Sequence, residues 1–392
     1  MYSLLLVIIY AAFISLGLPD SLIGSAWPVM QTELGVPVSY AGVITMIIAF
    51  GTIISSLLSH KLTRKLGTGF VTAISVLSTA AALFGFSVSH SFVWLCLWAV
   101  PYGLGAGAVD AALNNYVALH YASRHMSWLH CFWGVGAAIS PYIMSYSLTG
   151  GYGWNNGYRM VGIIQITLTA ILFISLPLWK GRKGGDTQEE IHSKSLSLLQ
   201  ALKIKGVPLI LITFFSYCAM EQTTMLWASS YLVRHRGVDV NTAASFASLF
   251  FFGITFGRFL SGFIADKLGD KLLIRIGIFT MATGVILIAL PAATDVLALI
   301  GLVVVGFGCA PIYPAIIHST PSNFGKENSQ AIIGIQMACA YVGTTFMPPL
   351  FGLIASHINI GLYPFYLTVF IVLMLFTSER LNKIVAGKEF VS

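Results

Sequence analysis

The sequence predicts an all-α polytopic membrane protein, with twelve transmembrane helices in two six-helix halves. Three observations predict it. The 392 residues are 57% hydrophobic and only 9% charged, with a mean hydropathy of +0.84, far from the roughly 25% charged residues of a soluble domain. Apolar runs recur along the whole chain at about the 20 residues a helix needs to cross ~30 Å of hydrocarbon, whereas the alternating ten-residue strands of an outer-membrane barrel are absent. Finally, a segment near residue 51 returns near residue 257.

The spans fall at 2–31, 39–60, 69–89, 92–120, 127–149, 158–180, 207–233, 241–265, 271–291, 295–319, 328–356 and 361–380. Met1 to Gly17 has neither the basic start nor the small-residue cleavage site of a signal peptide, so it reads as the first span. The longest polar interval contains GRKGGDTQEEIHSKSLS, 181–197. It divides the chain into an N-terminal six-helix half, 1–180, a cytoplasmic linker, 181–206, and a C-terminal six-helix half, 207–392.

Orientation follows from the basic residues. With the linker in the cytoplasm, the 21 Lys and Arg all fall inside except Arg159, Arg234 and Arg236 outside and Arg258 within a span. Both termini are therefore expected in the cytoplasm, and the plasma (inner) membrane of a bacterium is the expected location. The net charge of +7 fits this topology and anionic lipid, so no nucleic-acid partner is expected. Cys96, Cys131, Cys218, Cys309 and Cys339 all lie in spans without a C-x-x-C pair, the pattern of buried structural thiols. The chain has no phosphate loop and no nucleophile elbow. Neither an enzyme nor a bound cofactor or metal is expected.

The repeat aligns GTIISSLLSHKLTRKL, 51–66, with GRFLSGFIADKLGDKL, 257–272, pairing Gly51 with Gly257 and His60 with Asp266. GVGAAISP, 134–141, matches YVGTTFMP, 341–348. Two halves in matching order suggest parallel repeats and alternating access. The pattern G-R-x-x-x-G-x-x-A-D-K-x-G resembles the loop after the second span of each half in the major facilitator superfamily. The resemblance implies that Asp266 and basic neighbours such as Lys267 gate the cytoplasmic side, with Arg258, two turns earlier, within reach of that cluster. In the first half His60 stands for the acid and Thr63 for the glycine. A charged turn that merely fixes topology is the alternative.

Three acids lie well inside spans: Asp20, Asp110 and Glu221. An acid at a helix centre costs ~2.5–3.5 kcal/mol on insertion scales, so each is a candidate for function. Gly103, Gly107, Asp110 and Asn114 share one helix face, where small residues admit close approach and the acid and amide point the same way. Such a pair suits a hydroxyl-bearing solute, a proton or Na⁺; it also suits the joining of two helices. Asp20 and Trp27 share a face of a first span bent by Pro19 and Pro28. Tyr217, Glu221, Thr224, Ala228 and Tyr231 form a polar stripe, with Trp227 nearby. His130 shares a face with Gly134, Ala137 and Pro141, as a solute ligand or as a hydrogen-bonded packing residue.

Tyr217-x-x-x-Glu221 with Trp227, the GLGAGAVDAALNN run and WLHCFWGVGAAISP resemble the fucose–galactose–glucose symporter group, although Ala219 and Asp110 depart from its usual Gly and Glu. That resemblance implies uptake of a small polar solute, expected to be a monosaccharide, by a monomer coupled to H⁺ or Na⁺. It makes Asp20 and Asp110 the cation-coupling or sugar-binding acids and Glu221 a sugar or cation ligand. The residues themselves add Asn114, His130, Trp27 and Trp227 to Asp110 and Glu221 as candidate substrate-binding residues, with Asp20 and Asp110 as the candidate cation-coupling residues. The two indoles either stack on a sugar ring or serve as core or interfacial aromatics. The alternative in the same fold is a proton-coupled exporter of hydrophobic compounds, although span five lacks the double glycine usual there.

Overall fold

The computed structural model describes residues 2–37, 39–179, 196, 198–291 and 294–389. The linker expected at 181–206 lies outside the described residues over 181–195 and at 197. Among the described residues all regular structure is helical. The helices are α1 (Tyr2–Asp20), α2 (Leu22–Glu33), α3 (Tyr40–Leu66), α4 (Thr68–Ser87), α5 (Phe92–His120), α6 (Ser123–Thr149) and α7 (Gly153–Ile174). After the linker come α8 (Val207–Arg236), α9 (Val240–Leu268), α10 (Asp270–Ala289), α11 (Val296–Cys309), α12 (Ile312–His318), α13 (Lys326–Ile354) and α14 (Tyr363–Glu389), with short helical turns between some of them. Among the described residues ten segments are long and apolar enough to cross a membrane, one of which, Lys326–Gly387, holds α13 and nearly all of α14. The 27-residue α6 is long enough as well but less apolar, because Gly, Ser, Tyr and Pro are spread along its length. The described helices therefore make twelve passes, and the protein is an all-α polytopic membrane protein.

Pass one is broken where the sequence places its prolines. Pro19 has no N–H to give the Ser15 carbonyl one turn back. Gln165 of α7 supplies the missing donor at 2.5 Å, while Ser15 Oγ donates to Gln165 Oε1 at 2.8 Å. The helix then breaks at Ser21, whose hydroxyl donates to the Ala137 carbonyl of α6 at 2.6 Å. Asp20 is thus held at a helix break rather than in a straight helix. Pro311 interrupts the tenth pass in the same way, between α11 and α12.

The chain forms two compact units. The first takes the described residues of Met1–Tyr116, Leu129–Ser195 and Lys326–Ala338; the second takes those of Val117–Trp128, Leu196–Gly325 and Cys339–Ser392. Each half of the sequence therefore lends a short segment to the other unit. Ser329 secures one such segment by donating to Asn115 Oδ1 at 2.6 Å within the first unit.

The repeat is visible in the turns, in a different register from the one read in the sequence. Gly67 caps α3 at φ +78° and Gly269 caps α9 at φ +73°, a backbone that L side chains rarely adopt. The cap glycine of the first half is therefore Gly67, so Thr63 does not replace it. The helix simply runs one turn further, which brings Arg64 to the place that Asp266 holds in the second half.

Candidate transport site

In the first unit Asp20 is the exposed end of α1. Its two oxygens accept from Tyr102 Oη of α5 at 3.1 Å and from Trp133 Nε1 of α6 at 3.0 Å. Both donors are uncharged. Close crossing of helices makes this reach possible: a Cβ on Gly17 would lie 2.1 Å from the Trp133 carbonyl, and one on Gly136 2.1 Å from that of Ile14. Neither Tyr102 nor Trp133 stands near Asp20 in sequence, and only the α1–α6 and α1–α5 crossings bring them together.

Asp110, Asn114 and His130 are buried and form a chain. Asn114 Nδ2 donates to Asp110 Oδ1 at 2.8 Å and to the Asp110 carbonyl at 3.0 Å. That leaves Asn114 Oδ1, an acceptor only, facing His130 Nε2 at 3.0 Å, so the imidazole donates there. Phe13 of α1 stacks edge-on against the His130 ring at 5.4 Å. The three residues that the sequence grouped by helix face are therefore brought together, in a network that ties α5 to α6. Trp27 goes elsewhere: it is 5% exposed and packs in the apolar core with Met30, Tyr102, Trp154 and Tyr158. The indole at Asp20 is Trp133.

In the second unit Glu221 of α8 meets Arg258 of α9. Arg258 Nη2 donates to Glu221 Oε1 at 3.2 Å and to Tyr217 Oη at 3.4 Å, and the guanidinium lies 5.9 Å from the centre of the Tyr313 ring. The sequence suggests that Arg258 reaches the Asp266 cluster; the Arg258 guanidinium pairs instead with Glu221 on α8. Its side chain is buried against α8 because the nearest carboxylate at its own depth is Glu221. Trp227 fills the groove over Gly352 of α13, donates to the Pro348 carbonyl at 2.9 Å and stacks edge-on with Phe351.

The charged cluster at the end of α9 also belongs to the second unit. Asp266 accepts from the Arg124 backbone N–H at 3.0 Å and pairs with its guanidinium. Lys267 is exposed. Next to them Asp270 accepts from Ser123 Oγ at 2.6 Å and pairs with His318 Nδ1 at 2.7 Å. Sequence reasoning singled out Asp266 but missed Arg124, Ser123, Asp270 and His318. The run HYASRHMSWLH, dense in basic and hydroxyl residues between two spans, was the signal for the first two.

These features define a membrane transporter of two helical units, and the comparisons name its family. The family model described as the Major Facilitator Superfamily matches residues 9–294 and 209–381. The chain belongs to that superfamily. Bypass of stop codon protein 6 of Saccharomyces cerevisiae is 22% identical over 94% of this chain and 80% of its own length. The cis,cis-muconate transport protein of Acinetobacter baylyi is 23% identical over 85% of this chain and 83% of that one. Among solved structures, the E. coli fucose:proton symporter FucP superposes with a TM-score of 0.80, covering 96% of this chain and 98% of that chain at 14% identity. At that identity the likeness is one of fold.

Proposed function

We propose that the protein is a proton-coupled symporter that takes up a small neutral polyhydroxylated solute, a monosaccharide, across a bacterial plasma membrane with both termini cytoplasmic. The observation that carries this reading is the environment of Asp20. An exposed carboxylate partway along the first pass is intolerable against lipid, so it faces a water-filled space through which a proton and a solute can arrive. Its partners are a phenol and an indole N–H. The indole N–H presents a hydrogen where a Na⁺ site needs an oxygen lone pair, which favours a proton as the coupled cation.

Once Asp20 takes up a proton, the charge that opposes movement of the empty carrier is gone. Asp110, Asn114 and His130 offer a carboxylate, an amide and an imidazole to hydroxyl groups in the same unit. Within the second unit, taken by itself, the charge of Glu221 is matched by Arg258. That match supports a neutral solute: an anion such as the one named for the muconate relative needs a cation not already engaged by a carboxylate. The fucose:proton symporter, alike in fold, lends the reading its solute class.

The test is uptake into proteoliposomes of radiolabelled hexoses and 6-deoxyhexoses, with a pH gradient and a Na⁺ gradient imposed in turn. Accumulation of one sugar driven by the pH gradient, abolished in Asp20→Asn while downhill exchange persists, is the expected result. Uphill accumulation retained by Asp20→Asn overturns the coupling assignment. Movement of a hydrophobic cation against the proton gradient, with every sugar flat, makes the protein an exporter.

A further inference from the structure

The His318 ring sits between two groups that can only accept. Nδ1 faces Asp270 Oδ2 at 2.7 Å, and Nε2 faces the backbone carbonyl of Tyr121 at 3.2 Å. A neutral imidazole has one N–H and one lone pair. In either tautomer it satisfies one of these acceptors and turns a lone pair on the other. Both contacts are made at once only when the His318–Asp270 pair carries one additional proton, with an imidazolium donating on both sides of the ring.

We infer that His318 is a second proton-binding site, separate from Asp20, at which a bound proton clasps the α5–α6 connection to the start of α10. The clasp joins three separate pieces of the second unit. Tyr121 lies on the connection and Ser123 opens α6 directly after it, Asp270 opens α10, and His318 ends α12. Asp270 is shared, with Oδ1 taking the Ser123 hydroxyl and Oδ2 the imidazolium. The proton therefore decides whether one contact of this junction attracts or repels.

The other charged groups at this junction do not supply that proton. Asp266 is engaged by Arg124, and Lys267 and Lys271 are exposed. His125, which stacks with Tyr121 and Trp128, lies before the span, and burial first and then the neighbouring Arg124 push its pKa below that of a free histidine. On the orientation read from the basic residues this junction lies on the cytoplasmic side, so the pH it follows is that of the cytoplasm. The sign is that of a base protonated in the clasped state: the clasp is held at low pH and lost as the pH rises through the pKa of the clasped pair. The inference requires neither the sugar nor the Asp20 reading.

The test uses the full-length protein in lipid nanodiscs, with spin labels at the exposed positions Ala122 and Lys267 and distances measured by double electron–electron resonance between about pH 5.5 and about pH 9, a range that brackets histidine titration. A short-distance population that falls with rising pH is expected. Its ratio to the open population should drop about tenfold per pH unit on the alkaline limb, as one linked proton dictates. His318→Gln and Asp270→Asn should each flatten that dependence, whereas Asp20→Asn, which tests the coupling assignment, should leave it intact. Ring ¹⁵N shifts of His318 in the unlabelled protein at about pH 6 give a second reading, with both nitrogens protonated expected. A distance distribution independent of pH, a dependence that survives His318→Gln, or a neutral ring at low pH overturns the inference.

Discussion

Arg258 Nη2 stands 3.2 Å from Glu221 Oε1 and 3.4 Å from Tyr217 Oη, so a guanidinium only 3% exposed is matched by one carboxylate and one phenol. Breaking such a pair from one side leaves a buried charge unmatched and costs about 3–5 kcal/mol, whereas replacing both partners with uncharged groups of like size is often neutral. Glu221→Gln should therefore lower the melting temperature in detergent far more than Glu221→Gln combined with Arg258→Met. A double variant no more stable than the single one shows that the pair is not the source of the loss. In transport, Glu221→Gln leaves a positive charge at this depth. Competition by an acidic sugar such as galacturonate should rise relative to its neutral parent.

Removing the donors to Asp20 tests its role through pH. Tyr102 and Trp133 each donate to the carboxylate, and such bonds favour its charged form. A hydrogen bond to a charged group is worth ~1.5–3 kcal/mol, and one pH unit corresponds to about 1.4 kcal/mol. In Trp133→Phe or Tyr102→Phe the carboxyl keeps its proton to higher pH. The alkaline limb of the uptake profile should move up by roughly one pH unit. A movement to lower pH, or none in either variant, separates Asp20 from proton loading.

Most of the fold was legible because the bilayer forces it: length, apolarity and the basic-residue bias leave few arrangements open to a chain like this one. The site was legible only along single helices. Asp110 with Asn114 follows from a spacing of four on one face, and Tyr217 with Glu221 likewise. Contacts between helices were not legible, because no sequence spacing relates Asp20 to Tyr102 or Arg258 to Glu221. The expected reach of Arg258 to Asp266 failed for this reason: it weighed only neighbours along α9, and the partner lay on α8. The one cross-helix link within reach of sequence reasoning was His130 to Asn114, since both were singled out as polar positions on adjacent spans.

Trp27 distinguishes a solute-stacking aromatic from a core one. Its indole packs among Met30, Tyr102, Trp154 and Tyr158, and truncating a buried Trp to Ala costs ~3–5 kcal/mol. Trp27→Ala should lose folded protein, seen as a lower melting temperature and a smaller monodisperse peak. Trp27→Phe, which keeps most of the apolar volume, should restore both with KM for uptake unchanged. A Trp27→Phe variant of wild-type stability whose KM rises severalfold would return Trp27 to the solute.

The crossing of α1 and α6 sets how finely the Asp20 site is held. A methyl on Gly136 would meet the Ile14 carbonyl at 2.1 Å and the Leu18 nitrogen at 3.1 Å, and backbone atoms cannot turn aside as a side chain can. Gly136→Ala must therefore push α6 from α1, and it carries Trp133, one turn earlier, away from Asp20. The expected outcome is a lower melting temperature together with a pH profile displaced in the same direction as in Trp133→Phe, because the carboxylate loses the same donor. Gly24→Ala is the control. That glycine lies inside α2 with open space where a Cβ would go, so the substitution should be neutral or stabilising by about 0.5–1 kcal/mol. If Gly24→Ala and Gly136→Ala behave alike, helix propensity rather than close approach governs both positions, and the crossing does not position Trp133.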